Sequence, residues 1–469
     1  MSRRNKKQTF TNIEVIDAGA KGKTIAKAPD GKVIFLSNAV PGDVVDVFAF
    51  KKRKAYYEGK ATVFHQLSDK RTKPVCEHFG TCGGCKWQDM TYNHQLFYKE
   101  KEVVNNLVRI GHLDLPNVSP IIGSKKQYLY RNKMEFSVSD SRWLSNDEIS
   151  SDKDLGDKNA LGFHIPGMWD KILNVKTCHL QEDPSNSIRN KIKSFAVDNG
   201  LEFFNTRNQT GFLRTLMIRT SSNGEIMVLV QFFKEEKTKR ELLLDFLVNE
   251  FPQITSLQYV INSKANDTIY DQEVICYHGR DHIFEEMEGL KFKINAKSFY
   301  QTNSEQAFEL YKVTRDFAGL SGNELVYDLY TGTGTIAQFV ARQCKKVVGI
   351  ESVPEAITAA KENAQLNNIE NVEFFAGDMK SAFNDMFLKT HGLPDVVITD
   401  PPRDGMHKDV VEQLIKIGPE RIVYVSCNSA TQARDLALLN EMYKVTRVQP
   451  VDMFPQTHHV ENVVLLEKK

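Results

Sequence analysis

The 469-residue sequence contains no apolar run near the roughly 18 residues that a membrane-spanning helix requires. Its opening stretch, Met1 to Phe10, is polar and basic and lacks the apolar segment of a secretory leader. These absences predict a cytoplasmic protein with no membrane partner. Internal repeats and low-complexity tracts are also missing, and 61 Lys and Arg against 60 Asp and Glu leave a net charge of only +1. Overall charge therefore singles out no ligand. Cysteine is sparse, with seven in the chain. In a reducing compartment disulfides are not expected, and the grouping of Cys76, Cys82 and Cys85 within ten residues suggests a metal site instead.

What is present is ordinary globular composition: 41% hydrophobic and 26% charged residues. At about 100 to 200 residues per domain the chain should hold two to four units. We read three, with boundaries at 1–72, 73–295 and 296–469, in a chain expected to be a monomer. Charge is unevenly spread. Residues 1–75 carry 16 basic against 7 acidic side chains, so 16 minus 7 gives +9 in the first sixth of the sequence. A basic module of this kind attracts polyanions by counterion release, whatever their sequence.

Short β-rich runs with Gly and Pro punctuation fill the stretch from Thr9 to His65 and predict a small barrel. The run Ala39-Val40-Pro41-Gly42-Asp43-Val44-Val45 resembles the turn-and-strand signature of a TRAM domain, which implies RNA binding. Beyond Cys76 strands and helices mix. Tyr92 to His112 has helical periodicity, KMEFSVS, ALGFHIP and KILNV read as strands, and the polar stretch Ser145 to Asn159 reads as a loop. Further strands are expected in Leu213–Phe233 and Leu257–Cys276.

From Lys297 the texture becomes alternating strand and helix: LVYDLY, KVVGIES, VEFFAGD, DVVITDPP, RIVYVSCN and VENVVLLEK are separated by helical stretches such as PEAITAAKENAQLNN. That order predicts an α/β, Rossmann-like doubly wound sheet, whose ligands sit beyond the carboxyl ends of the strands. Asp328 to Gly334 ends one strand in a glycine turn where backbone can approach a ligand. Glu351, 23 residues later, ends the next strand, where a carboxylate can accept both hydroxyls of an adenosine ribose, and Asp378 ends the third, facing the adenine. The spacing D-x-x-x-G-x-G favours a methyl donor over a dinucleotide.

Asp400-Pro401-Pro402-Arg403 ends the fourth strand, with two prolines fixing the backbone behind the carboxylate, and Ser426-Cys427-Asn428 ends the fifth. Most cysteines are small buried hydrophobes. Cys427 differs because Asn428 and Ser429 break the apolar run where the sheet should meet substrate. Carbon 5 of uracil is too weak a nucleophile to attack a methylsulfonium directly, and a thiolate added at carbon 6 converts it into an enolate that can. The carbon 5 proton must then be removed by a base, for which Glu461 is the candidate.

At these residues the chain resembles the RNA uracil-5 methyltransferases: Phe299-Tyr300-Gln301-Thr302-Asn303, the glycine turn, D-P-P-R-x-G, S-C-N and H-V-E occur in family order over about 170 residues. The resemblance implies Cys427 as nucleophile, Glu461 as base and Asp400 near the uracil. It also implies Gln301, Tyr330, Thr335, Glu351, Asp378 and Asp400 around S-adenosylmethionine. Two positions depart from the usual pattern, Ser429 where proline is common and Thr335 where asparagine is frequent. Cys76, Cys82 and Cys85, with Cys178 chosen as fourth ligand, suit zinc or an iron-sulfur cluster equally by softness. Resemblance to the ribosomal RNA branch of the family implies a [4Fe-4S] cluster and 23S ribosomal RNA as substrate. Transfer RNA methylation, amino-group methylation without Cys427, and a non-catalytic RNA-binding role are the rival readings.

Overall fold

The computed structural model describes residues 8–151 and 156–469. Arg3, Arg4, Lys6 and Lys7, four of the basic residues counted in the first segment, lie outside the described residues, as does part of the expected Ser145–Asn159 loop. The chain divides into two compact units. One is formed by the chain up to Gly80 with Cys85–Gln127 and Pro401–Lys469, and the other by Thr81–Gly84 with Tyr128–Asp400.

The first unit opens with five strands: β1 (Gln8–Ala18), β2 (Thr24–Lys27), β3 (Val33–Ser37), β4 (Val44–Lys52) and β5 (Tyr56–Gln66). They close into a barrel of order β1-β2-β3-β5-β4. Alternate residues of β4, such as Val45 and Val47, point into its core beside Val15, Ile34 and Leu36. Asp43, fully buried, explains the turn signature: it accepts the Val40 and Ser68 N–H groups and is held by two bonds from Arg71, 2.8 and 2.7 Å long. A buried carboxylate needs such partners, and here they tie the turn to the chain leaving the barrel. The expected helix follows as Tyr92–Arg109.

The second unit is built on β6 (Lys133–Ser139), β7 (Ala160–Ile165), β8 (Met168–Asn174), β9 (Leu213–Thr220), β10 (Ile226–Phe232), β11 (Ser256–Ile261) and β12 (Ile275–Gly279), in the order β12-β11-β10-β9-β6-β7-β8. Every residue of β10 is buried, as a central strand covered on both faces should be. Helices Ser185–Asp198 and Lys237–Glu250 pack together through Phe195 stacked on Phe246 at 4.1 Å. Within the expected Ser145–Asn159 loop, Asn146–Ser150 is a single helical turn started by a capping box between Ser145 and Glu148. A hairpin, β13 (His282–Met287) and β14 (Leu290–Asn295), leads onward.

Four parallel strands follow in this unit, β15 (Leu325–Leu329), β16 (Lys346–Glu351), β17 (Val372–Ala376) and β18 (Val396–Thr399), in the order β17-β16-β15-β18. Helices Thr335–Ala341, Pro354–Leu366 and Asp385–His391 connect them, the doubly wound pattern expected. The C-terminal part of the first unit contributes β19 (Arg421–Ser426), β20 (Tyr443–Val451) and β21 (Glu461–Lys468), antiparallel in the order β19-β21-β20. No helix among the described residues is long and apolar enough to cross a membrane.

Candidate active site

The parallel register aligns the carboxyl ends of the second unit's strands. Leu329 is opposite Ile350 on one side and Thr399 on the other, and Glu351 is opposite Ala376. Asp328, Glu351, Asp378 and Asp400 therefore all belong to one edge. Asp328 is fully buried and braces the glycine turn: its Oδ2 accepts the Thr331 hydroxyl at 2.5 Å and the Ala337 N–H at 3.1 Å. Its Oδ1 is buried with no hydrogen-bond partner. Burial pushes the Asp328 carboxyl up to about 7; the Asp400 and Glu351 charges add to this, and the bonds from Thr331 and Ala337 oppose it.

Tyr330, Gly332 and Gly334 all have left-handed φ, at 63, 56 and 74°. At Gly334 a side chain is excluded twice over, since a Cβ would stand 2.6 Å from Phe374 Cζ. A Cβ on Gly332 would meet nothing within 4 Å, so the turn leaves open space on that side. Glu351 bounds it. Its Oε2 accepts the Gly332 N–H at 3.1 Å, while Oε1 is fixed by the Ser352 and Val353 N–H groups at the start of the next helix. A glycine-lined space, an orphaned carboxylate oxygen and an oriented second carboxylate fit the polar groups of an adenosine-bearing methyl donor. Thr335, the first residue of its helix, is buried with its hydroxyl 3.4 Å from that of Thr333.

The other cofactor candidates vary in setting. Asp378 is exposed and caps the helix Met379–Ala382 through the Lys380 N–H. Asp400 follows β18, its N–H donating to the Leu329 carbonyl at 3.3 Å, and burial pushes its carboxyl up to about 7. Gln301 lies in the loop before the helix Ser304–Ala318; its carbonyl accepts from Asn132, and Arg219 donates to the Ser298 carbonyl at 2.5 Å.

In the first unit Ser426 of β19 is paired with Asn462 of β21. Cys427 directly follows the last residue of β19 and Glu461 is the first residue of β21, so both stand at the same end of this antiparallel pair. Cys427 is half-buried, so it is not sealed in the core, and Glu461 is buried. Around the nucleophile candidate the turn is tied down. The Asn428 N–H reaches back across Cys427 to Ser426 Oγ at 3.1 Å, and Asn428 and Thr431 both donate to the Arg403 carbonyl, at 2.9 and 3.0 Å. Gln432 and Asn462 exchange hydrogen bonds, linking the helix after Cys427 to the strand that begins with Glu461. His458 beside them is held neutral, lowered to about 4 by burial and by Lys99, Lys86 and Arg403. Of these supports only the motif residues carry a sequence signal; Gln432 is anonymous until its hydrogen bonds are seen.

The cysteine set divides. Cys76 and Cys85 belong to the first unit, Cys82 and Cys178 to the second. Cys82 and Cys178 pack on the same apolar group, Ile165, Leu173 and Val175, and the Gly84 N–H points at the Cys82 sulfur at 3.4 Å. Four thiols suit a cluster chemically, but among the described residues no group of three Cys, His, Asp or Glu side chains is arranged to hold a metal ion. Cys344 is buried, and burial pushes its thiol up to about 11, as for a structural cysteine.

Residues 220–469, more than half of the chain, match the family model described as tRNA (uracil-5-)-methyltransferase. The chain belongs to this family. RNA methyltransferases are also its relatives over nearly full length: one from Bacteroides thetaiotaomicron is 58% identical across 96% of this chain and 99% of its own length. Another, from Porphyromonas gingivalis, is 53% identical across 97% of this chain and 99% of its own. A solved Pyrococcus abyssi structure, of a tRNA (uracil-54, C5)-methyltransferase in complex with S-adenosyl-L-homocysteine, covers 97% of this chain and 100% of its own with 26% identity and a TM-score of 0.74. The family member described here is thus an S-adenosylmethionine-dependent RNA uracil-5 methyltransferase with the α/β methyltransferase fold.

Proposed function

We propose that this methyltransferase modifies carbon 5 of a specific uridine in 23S ribosomal RNA through a covalent bond between Cys427 and the base. The observation that supports this mechanism is the pairing of Ser426 with Asn462, with Cys427 directly after the first and Glu461 directly before the second. The uridine is unstacked and flipped out, because a base in a helix offers neither face. The Cys427 thiolate adds to carbon 6, and the displaced electron pair moves onto carbon 5 and oxygen 4. S-Adenosylmethionine, when bound, supplies an electrophilic methyl group, which carbon 5 takes. Glu461 then accepts the carbon 5 proton, the carbon 5–carbon 6 double bond re-forms, and the carbon–sulfur bond breaks to return the Cys427 thiolate. Asp400, with its raised carboxyl, supplies a hydrogen bond to the uracil edge. Gln301, Tyr330, Thr335, Glu351 and Asp378 hold the donor.

RNA containing 5-fluorouridine tests the scheme, since fluorine cannot leave as a proton does. Wild-type enzyme with donor should yield a methylated protein–RNA adduct through Cys427, and Glu461→Gln should trap ordinary substrate likewise. Turnover by Cys427→Ala would establish amino-group methylation instead.

The ribosomal assignment rests on the closed N-terminal barrel and the four cysteines, within a three-part division at 1–72, 73–295 and 296–469. Similarity to the archaeal enzyme, which is described as acting on tRNA, favours transfer RNA as a second reading. Methylation of 23S transcripts but not of tRNA transcripts decides for the first, and the converse for the second. For Cys76, Cys82, Cys85 and Cys178 the proposal is a [4Fe-4S] cluster. Iron and sulfide assays on anaerobically purified protein should find four of each per chain. Metal-free, active enzyme would remove the cluster from the account.

A further inference from the structure

One face of the helix Tyr92–Arg109 is committed to the loops around the ends of β19 and β21. Tyr92, Gln95, Lys99 and Asn106 lie at offsets that share a side. Tyr92 and Lys99 donate to the two oxygens of Asp452, at 2.8 and 2.6 Å, and Lys99 also donates to the Phe454 carbonyl. Gln95 exchanges hydrogen bonds with Gln456, 3.0 and 2.9 Å long. These contacts fix the helix against the segment leading to Glu461. Two turns beyond Lys99, Asn106 Nδ2 donates to Ser429 Oγ at 2.8 Å.

Ser429 is the first residue of the helix Ser429–Leu439 and follows Cys427 by two positions. A serine there leaves its φ free to vary, whereas the position is one where a fixed φ near −65° is ideal. Asn428 caps the helix through the Ala430 N–H and is in turn bonded to Arg403, so any drift of Ser429 moves the Cys427 turn with it. We propose that Asn106 is a positioning residue for the nucleophile, holding Ser429 from a helix anchored elsewhere and thereby setting where the Cys427 sulfur meets the base. This rests on the reading of Cys427 given above.

The test is the single-turnover rate of adduct formation on 5-fluorouridine RNA, with affinity for S-adenosylmethionine measured alongside. Losing one neutral hydrogen bond should slow the rate of Asn106→Ala by about three- to tenfold, with donor affinity and thermal midpoint nearly unmoved. Asn106→Asp can accept the Ser429 hydroxyl and should recover the rate. In a Ser429→Pro background, where the ring fixes φ, Asn106→Ala should cost less than about twofold. An undiminished adduct rate in Asn106→Ala, or an equal loss in both backgrounds, overturns the positioning role while leaving Cys427 as nucleophile. Failure of the wild-type enzyme to form any adduct overturns both.

Discussion

Asp328 shows how one carboxylate can serve the turn and shape the pH response together. Its Oδ2 is committed to Thr331 and Ala337, and its Oδ1 is sealed without a partner. Folded, it keeps its proton up to about pH 7; unfolded, only up to about pH 4. Between those values the folded state binds more protons, so this group's contribution to stability is full below the unfolded value and declines as pH rises through the window. Asp328→Asn cannot ionise and keeps an acceptor for both donors. Between pH 5 and 8 the wild-type thermal midpoint should fall by a few degrees relative to that of the variant. Asp400, also raised to about 7, contributes the same trend in both proteins. Parallel pH profiles would mean that Asp328 is ionised in the folded state. A calorimeter or dye-based melt at the two pH values decides.

Among the elements, the helix Tyr92–Arg109 makes the strongest prediction. Lys99 and Asp452 are both fully shielded from solvent and form an ion pair at 2.6 Å. Removing one member of such a pair strands the other charge, so Lys99→Met should lower stability by about 3–5 kcal/mol. Lys99→Met/Asp452→Asn should recover part of that loss, as measured by urea unfolding. A single-variant loss below about 1 kcal/mol would show that water reaches Asp452 in solution. Legibility in the sequence followed local signal at this scale. KMEFSVS reads as a strand and is β6. Strand β20 gave no such signal, because a register shift between Val445 and Arg447 breaks its alternation and Pro450 sits near its end. The strand-end positions of Glu351 and Cys427 were legible because a β-branched apolar run stops at each, β16 ending at Glu351 and β19 at Ser426. Asn106 was not, since its partner is 323 positions away and no local pattern joins them.

At the scale of the whole molecule, net charge near zero hides a basic N-terminal module, and that asymmetry bears on how RNA is engaged. Within the barrel the end of β4 and the turn to β5 present Lys52, Arg53 and Lys54, all exposed, two to four residues after the exposed Phe50. Lys51 is engaged with Glu58 at 2.6 Å, which makes it the least available cation of the run. Exposed cations at a strand tip neutralise phosphates and release counterions, while a neighbouring aromatic offers a stacking face for an unpaired base. Replacing Lys52, Arg53 and Lys54 by Gln should therefore raise the KM for RNA without changing kcat at saturation. The slope of log affinity against log salt should become shallower by about 2 to 3, about 0.7 to 0.9 for each phosphate that is no longer neutralised. The cofactor and the reacting groups are untouched by these changes, so the affinity for S-adenosylmethionine should stay constant. A kcat loss with an unaltered salt slope would mean that the tip acts on catalysis and not on RNA capture.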